Sequence, residues 1–334
     1  MNTRKSPDNQ PRVCVAIVTY NSSGTLPQCL SSLKSQTYQN FCVVLIDNDS
    51  DEKPAALVEN AGLPITYMEM DENLGFAKAM NVALNATECE YLAALNPDAF
   101  AEPEWLAELV AMADKNPSIA ALGSLQLKAE DRNQIDGLGD NLLITGQAWR
   151  GQTQPPDLIG EKPAYCFGVC AAAALYRAHV LRDVGEFDET FFCFYEDVDM
   201  SFRLRLAGFN CAINTKAVVE HVGGASFEGK SEFATYLMAR NQWWMLLKNM
   251  PGLLLILALP GFFLIQSIGI LKNPKSARMK GVWEGLCNSR NAWMKRRVLQ
   301  QNRKLSSLGL SRWLSWQPRD FFNRRIRLRQ NAKD

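Results

Sequence analysis

Five short apolar runs recur at intervals of about 25 residues in the first part of the chain: VCVAIVTY (13–20), FCVVLID (41–47), ITYMEM (65–70), YLAALN (91–96) and IAALGSLQL (119–127). Each has the length of a buried strand. The stretches between them, such as TLPQCLSSLKSQ and PEWLAELVAMADKN, place apolar residues at helical spacing. Strand and helix alternating in this order leave few options: right-handed βαβ crossovers, and so an α/β fold with a mostly parallel sheet flanked by helices. With 334 residues, 47% of them hydrophobic, the chain has material for a large core.

Ligands of such sheets bind beyond the carboxyl ends of the strands, and short polar side chains gather at those ends. Thr19, Tyr20 and Asn21 follow the first run, Asp47, Asn48 and Asp49 the second, Asn96 and Asp98 the fourth. After the third run, Asn73-Leu74-Gly75 leads into a helix carrying Lys78, so the free amides of that helix start and the lysine are expected to face phosphate. VTYNSSGTL, at the end of the first run, has one glycine where a dinucleotide site needs Gly-x-Gly-x-x-Gly, and no Gly-x-x-x-x-Gly-Lys-Ser/Thr phosphate loop is expected in the chain.

Residues 130–164 are rich in Gly, Asp, Gln and Pro and are expected to form loops over the cleft. Regular structure resumes with YCFGVCAAAALY, read as a buried strand. Cys166 and Cys170 within it could ligate a metal, but core packing is the better reading. EDVDMSFRLRLAGF follows as a helix, with Val198, Phe202 and Leu206 on one face and Glu196 and Asp197 in the first turn, where the helix dipole favours negative charge. His179 reads as an ordinary helix residue. Nine cysteines in apolar contexts, without repeated spacing, point to reduced thiols. The polar start MNTRKSPDNQPR has no apolar core of a secretory signal, so the active region is expected to face the cytoplasm.

A net charge of +1 hides a strong asymmetry: 17 Lys and Arg against 3 Asp and Glu from Lys272 onward, and 19 against 32 before it. Just ahead of the basic tail, residues 253–271 run 19 positions without a charge, close to the ~20 that span a bilayer, with Pro260-Gly261 and Gln266-Ser267 inside the run. Spanning, re-entrant and in-plane placements and a buried core helix are all open. Shallow or re-entrant insertion, with the basic residues on anionic headgroups, fits best. Trp313, Trp316, Phe321 and Phe322, set among arginines, suit a membrane interface better than water. Nucleic acid is disfavoured, because no nucleic-acid-binding fold accompanies the charge. Three segments result: a disordered N-terminus (1–11), a catalytic domain (12–249) and a membrane-associating extension (250–334).

Asp98 alone is a poor trap for a cation. Hard cations commonly combine one or two carboxylates with substrate phosphates, so a nucleotide diphosphate could complete the shell of Mg2+ or Mn2+. His221, in VVEHVGGASF after a late strand, is a second candidate ligand, although a lone histidine is more often structural. YEDVD supplies Glu196, Asp197 and Asp199; such a run is often just a solvated helix start, but one of the three could serve as a general base. Strand ends for base and ribose, a metal for diphosphate and a base for an acceptor hydroxyl are what transfer from a nucleotide sugar requires.

VTYNS, VVLIDNDSDE, NLGFAKAMN, LNPDA and GEFDETFFCFYEDVDMSFRLRLAGF, in this order and spacing, resemble the family 2 glycosyltransferases of the GT-A fold, over roughly residues 12–245. The likeness is strongest to the bacterial branch with rhamnosyltransferases and related galactofuranosyltransferases. It implies a metal-dependent, inverting transfer. Asp98 would be the metal-binding last residue of an Asp-x-Asp motif whose first position is here Asn96, and His221 would join the metal shell. Asp197 would be the catalytic base, with Glu196 and Asp199 on the acceptor side. Thr19, Tyr20, Asn21, Asp47, Asp49, Asn73 and Lys78 would hold the donor, and HVGGAS would help close the site. The implied donor is a dTDP- or UDP-sugar, with dTDP-rhamnose first. The implied acceptor is a polyprenyl-diphosphate-linked saccharide at the cytoplasmic face of a bacterial inner membrane, for an envelope polysaccharide such as O-antigen. Two other classes compete. A sugar-phosphate nucleotidyltransferase would want a basic Gly-rich loop at the first strand, and a noncatalytic nucleotide-sugar-binding scaffold on the membrane would leave the strand-end clusters without a purpose.

Overall fold

A computed structural model describes residues 10–152, 160, 162–223, 231–275 and 277–331. The expected disordered start lies almost wholly outside these residues. The first four apolar runs form strands β1 (Val13–Thr19), β2 (Phe41–Asp47), β3 (Ile65–Glu69) and β4 (Tyr91–Leu95), joined by helices α1 (Leu26–Lys34), α2 (Ala55–Asn60) and α3 (Gly75–Ala86). They lie side by side in the order β3-β2-β1-β4, all parallel, with Thr19 opposite Asp47 and Asp47 opposite Glu69. Their carboxyl ends therefore share one edge.

β5 (Ala99–Ala101), α4 (Trp105–Lys115) and β6 (Ile119–Lys128) follow. Next come β7 (Asp131–Gly137), β8 (Asp140–Leu142), β9 (Ala148–Arg150), β10 (Ala164–Cys166), β11 (Ala173–Arg177), α5 (Ala178–Asp183), α6 (Glu196–Leu206) and β12 (Asn210–His221). In this half the sheet is mixed: β11 enters antiparallel between β4 and β6, β12 runs parallel to β6, and β10 and β5 pair antiparallel with β12.

Two sequence expectations change. Residues 130–164 hold strands as well as turns. β7 is polar because it pairs with β6 alone and leaves Arg132, Asn133 and Gln134 in solvent, while β8 and β9 form a separate hairpin. YCFGVCAAAALY is two strands, since the backbone leaves the sheet between β10 and β11. At that exit Gly168 lies so close to α6 that a Cβ would sit 2.5 Å from that of Ser201.

Apolar clusters fill both faces of the sheet, and a third lies between α6, the β8 hairpin and the C-terminal helices α7 (Glu232–Asn249) and α8 (Gly252–Lys272). α9 (Arg278–Cys287), α10 (Arg290–Asn302), α11 (Ser307–Ser311) and α12 (Pro318–Phe322) complete the chain. The basic tail returns to the domain: Ile326 and Leu328 pack on the sheet, and Tyr165 and Arg329 form a β-bridge. Two of the four aromatics expected at an interface are drawn inward. Trp313 lies under the Arg205 guanidinium at 3.6 Å, and Phe321 packs edge-on against Trp149; Trp316 and Phe322 stay exposed. All nine cysteines are free thiols.

α6 is fastened to the C-terminal helices by a buried ion cluster. The Lys248 ammonium lies 2.5 Å from Asp188 and 2.7 Å from Asp199, and Asp199 also accepts from Arg203 Nε and Asn249 Nδ2. Burial raises the Asp188 carboxyl, but Lys248 and Lys295 overcome that and hold it well below the usual range. Lys248→Met leaves Asp188 with Lys295 and Asp199 with Arg203 as the one remaining cation each, so unfolding free energy should drop by up to about 3–5 kcal/mol, read as a lower urea midpoint at unchanged slope. Because the Asp188 pKa is depressed, the stability it contributes is present above about pH 4 and should fade as pH falls below that.

Candidate active site

At the shared strand edge lies a cavity of about 230 Å3, lined by Tyr20, Asn48, Asn73, Asn96, Asp98 and His221 among others. Asp98 and His221 meet because β5 pairs with β12: Ala99 is opposite His221, and Val222 N donates to the Asp98 carbonyl. Both side chains are buried. Asp98 Oδ1 and His221 Nε2 face each other at 3.4 Å, and neither has a hydrogen-bond partner. His221 Nδ1 is 2.8 Å from Asp136, which also binds Arg150 at 2.7 Å. Burial lowers the His221 pKa, but the hydrogen bond to Asp136 and the charge of Asp98 outweigh it and raise it to about 9. Two orphaned donor atoms, a carboxylate oxygen and an imidazole nitrogen oriented by a second carboxylate, fit a divalent cation. Among the described residues no cluster of three His, Cys, Asp or Glu side chains could hold a metal.

Not every predicted donor residue lines this cavity. Thr19 is buried behind it, and Asp47, fully buried, accepts from Ser50 N and Tyr67 OH with Lys53 at 3.6 Å. Asn21 is tied to Asp51, and Asp49 to Lys53. Lys78 is off the wall. The α3 amides expected to face phosphate are taken: Leu74 N donates to Asn48, Gly75 N to Asn73 and Ala77 N to the Phe192 carbonyl. The string GASFEGKS (224–231) has the letters of Gly-x-x-x-x-Gly-Lys-Ser, which corrects the expectation that the chain holds no such motif. Gly224–Lys230, which include the end of HVGGAS, lie outside the described residues, and Ser231 caps α7 by accepting from Ala234 N.

A second cavity, of about 360 Å3, adjoins the first and shares Phe76, Asn96, Cys193, Phe194 and His221 with it. Its wall carries Glu196, Asp197, Asp140 and Arg150, with Trp149, Tyr195 and Met238 as apolar neighbours. Asp197 accepts from Ala171 N (3.2 Å) and Val198 N (2.8 Å). Glu196 Oε2 and Asp140 Oδ2 are buried without partners. Burial and the nearby Asp197 push Glu196 and Asp140 well above the usual carboxylate range. Burial raises Asp197 too, against the pull of two backbone amides and Arg150. Asp199 is not brought here; it points to Lys248 and Arg203 in the core. Sequence reading missed Asp136, Asp140 and Arg150. The turn-rich stretch IDGLGD was their one signal.

The turn ahead of α6 is strained. Phe192, Phe194 and Tyr195 all have φ between 64° and 70°, which costs about 1–3 kcal/mol for each such residue. Asn241, fully buried on α7, holds it by donating to the carbonyls of Phe191, Cys193 and Phe194 at 2.8–2.9 Å. Tyr195 OH reaches the Gly146 carbonyl, and Ala148 N donates back to it.

The chain is 27% identical over 182 residues to an uncharacterised glycosyltransferase of Haemophilus influenzae, covering 52% of this chain and 55% of that one. It is 28% identical over 236 residues to N-acetylglucosaminyl-diphospho-decaprenol L-rhamnosyltransferase of Mycobacterium tuberculosis, covering 62% and 75%. The fold matches a crystal structure of GalNAc-T7 with UDP, GalNAc and Mn2+ at a TM-score of 0.57 and 16% identity, over 72% of this chain and 48% of the other. The chain thus spans about half the length of the first curated relative it matches. The description Glycosyl transferase family 2 matches residues 14–185, just over half of the sequence, and the chain belongs to that family.

Proposed function

We propose that the protein is an inverting glycosyltransferase that moves a sugar from a dTDP- or UDP-linked donor to a polyprenyl-diphosphate-linked saccharide at the cytoplasmic face of a membrane. The observation that carries this reading is the pair of adjoining cavities: one presents the orphaned Asp98 and His221 atoms, the other Asp197, and five residues line both. Rhamnose as the sugar and a lipid diphosphate as the acceptor's carrier are supported by the mycobacterial relative, and envelope polysaccharide as the product by similarity to an O-antigen biosynthesis protein.

Tyr20, Asn73 and Asn96 bind the donor in the first cavity, with Thr19, Asn21, Asp47 and Asp49 shaping the strand ends behind it. Asp98 and His221 would hold Mg2+ or Mn2+, which would supply positive charge against the diphosphate. The acceptor lies in the second cavity. Asp197 takes the hydroxyl proton as that oxygen bonds to the anomeric carbon and the bond to diphosphate breaks on the opposite face, so configuration inverts. Burial raises the Glu196 and Asp140 carboxyls that face the acceptor, and it raises Asp197 too, against the downward pull of two backbone amides and Arg150.

Asp197→Asn should lower kcat by about 10²- to 10⁴-fold while thermal stabilisation by the nucleotide sugar persists. Near-normal transfer by this variant would remove Asp197 from its role. Asp98→Asn and His221→Ala should each abolish the part of donor-induced stabilisation that EDTA removes from the native protein. Equal EDTA sensitivity in variant and native protein speaks against the metal site. Asp140→Asn should raise the acceptor KM and leave the donor KM within about twofold; a selective rise in the donor KM places Asp140 on the other substrate.

A further inference from the structure

α8 is a helix with apolar residues on every side, an arrangement that water does not tolerate on a free surface. One stripe, Leu254, Leu255, Ala258, Phe262 and Gln266, is buried against the domain. Leu253, Ile256, Leu257, Leu264, Ile268 and Leu271 are 43–77% exposed. Both ends of the helix return to the protein. It starts just after Asn249, which is fully buried and bonded to Asp199. Near its other end Gln266 accepts from Arg278 and donates to Gln242. α9 then packs back on α7, so closely that a Cβ on Gly281 would stand 2.3 Å from the Tyr236 carbonyl. A crossing helix would carry these polar partners into hydrocarbon, where none can be satisfied by water.

Charge defines what covers the exposed stripe. From Pro251 to Trp283 the chain has no Asp or Glu, while Lys272, Lys275 and Lys280 are exposed at the end of α8 and the start of α9, beside exposed Met279 and Trp283. We infer that α8 lies in the plane of an anionic lipid leaflet, its exposed stripe at the acyl boundary and these lysines on the headgroups. Met238, which lines the acid cavity and is partly exposed, stands one helical turn before Gln242, the residue bonded to α8. Docking therefore brings the mouth of that cavity to the lipid surface. This last consequence rests on the proposed reading, in which the acceptor is lipid-linked; the docking does not.

Flotation of the full chain with sealed vesicles tests it, using phosphatidylcholine alone or mixed with phosphatidylglycerol. The native protein should float with the mixed vesicles, less so as salt rises. Leu257→Asp with Leu264→Asp should cut partitioning about tenfold or more, with thermal melting and nucleotide-sugar stabilisation unchanged. Lys272→Glu with Lys275→Glu, at exposed positions outside the packed stripe, should erase the preference for phosphatidylglycerol. Native protein that stays with the aqueous fraction, or a leucine variant that floats as well as the native chain, overturns the inference. Asp197→Asn should float normally whatever its turnover, so failure of docking and failure of the transfer reading are read separately.

Discussion

A buried ammonium holds α6 in place. Lys248 is 2% exposed and sits between Asp188 on the turn before α6 and Asp199 within it, while Lys295 from α10 reaches the other oxygen of Asp188. Taking such charges out of water is costly, and the arrangement survives because each carboxylate has more than one partner. Its consequence is a division of labour along the acidic run YEDVD. Asp199 is committed to the core, and that commitment fixes the rotation of α6 and leaves Glu196 and Asp197, in the same first turn, facing the second cavity. Asp197 and Asp199, two positions apart, serve opposite faces of one helix, with Glu196 one turn before Asp199.

Strain is absorbed immediately upstream. The three left-handed residues of FFCFY cannot be stabilised by glycine, since aromatic side chains at these positions build the wall between the cavities: Phe192 and Phe194 line the first, Phe194 and Tyr195 the second. The backbone is instead over-determined from outside. One Asn241 amide group donates to three carbonyls of the turn, the Ala77 amide takes the Phe192 carbonyl, and Gly75 leaves no room for a Cβ against Phe192. α7 thus positions the turn through Asn241 and anchors α6 through Lys248, from two residues spaced two turns apart on one helix.

The strand-end residues were legible because apolar runs of strand length are a strong local signal, and parallel pairing then brings Asn96 and Asp98 to the same edge as Tyr20. Convergence of His221 on Asp98 follows from pairing between β5 and β12, which no local pattern announces; the residues offered His221 only as a candidate ligand, and the motif resemblance set it beside Asp98. Asp136, Asp140 and Arg150 were illegible for a different reason. They lie on short edge strands whose polar side chains and Gly-rich turns read as loop, and their chemistry appears only once the β8–β9 hairpin folds over the second cavity. The amides of α3 illustrate the reverse error. A glycine turn entering a helix does offer free donors in isolation, but Asn48 and Asn73 take the Leu74 and Gly75 amides here.

Counting charge in the tail likewise overstates what is free to meet a partner. Arg296 is buried and donates to the Leu247 and Met250 carbonyls, Arg327 binds Asp320, Lys295 binds Asp188, and Arg329 lies over Trp313. These cations tie the C-terminal helices and the returning tail to the domain, so they are engaged there and do not count toward a charge offered to a partner. The lysines left exposed after α8 flank its apolar stripe, so charge and hydrophobic area act at one flank of the molecule. The helices carrying them pack on α7, whose Met238 lines the second cavity, so a bilayer that held α8 would also set the side from which that cavity is approached.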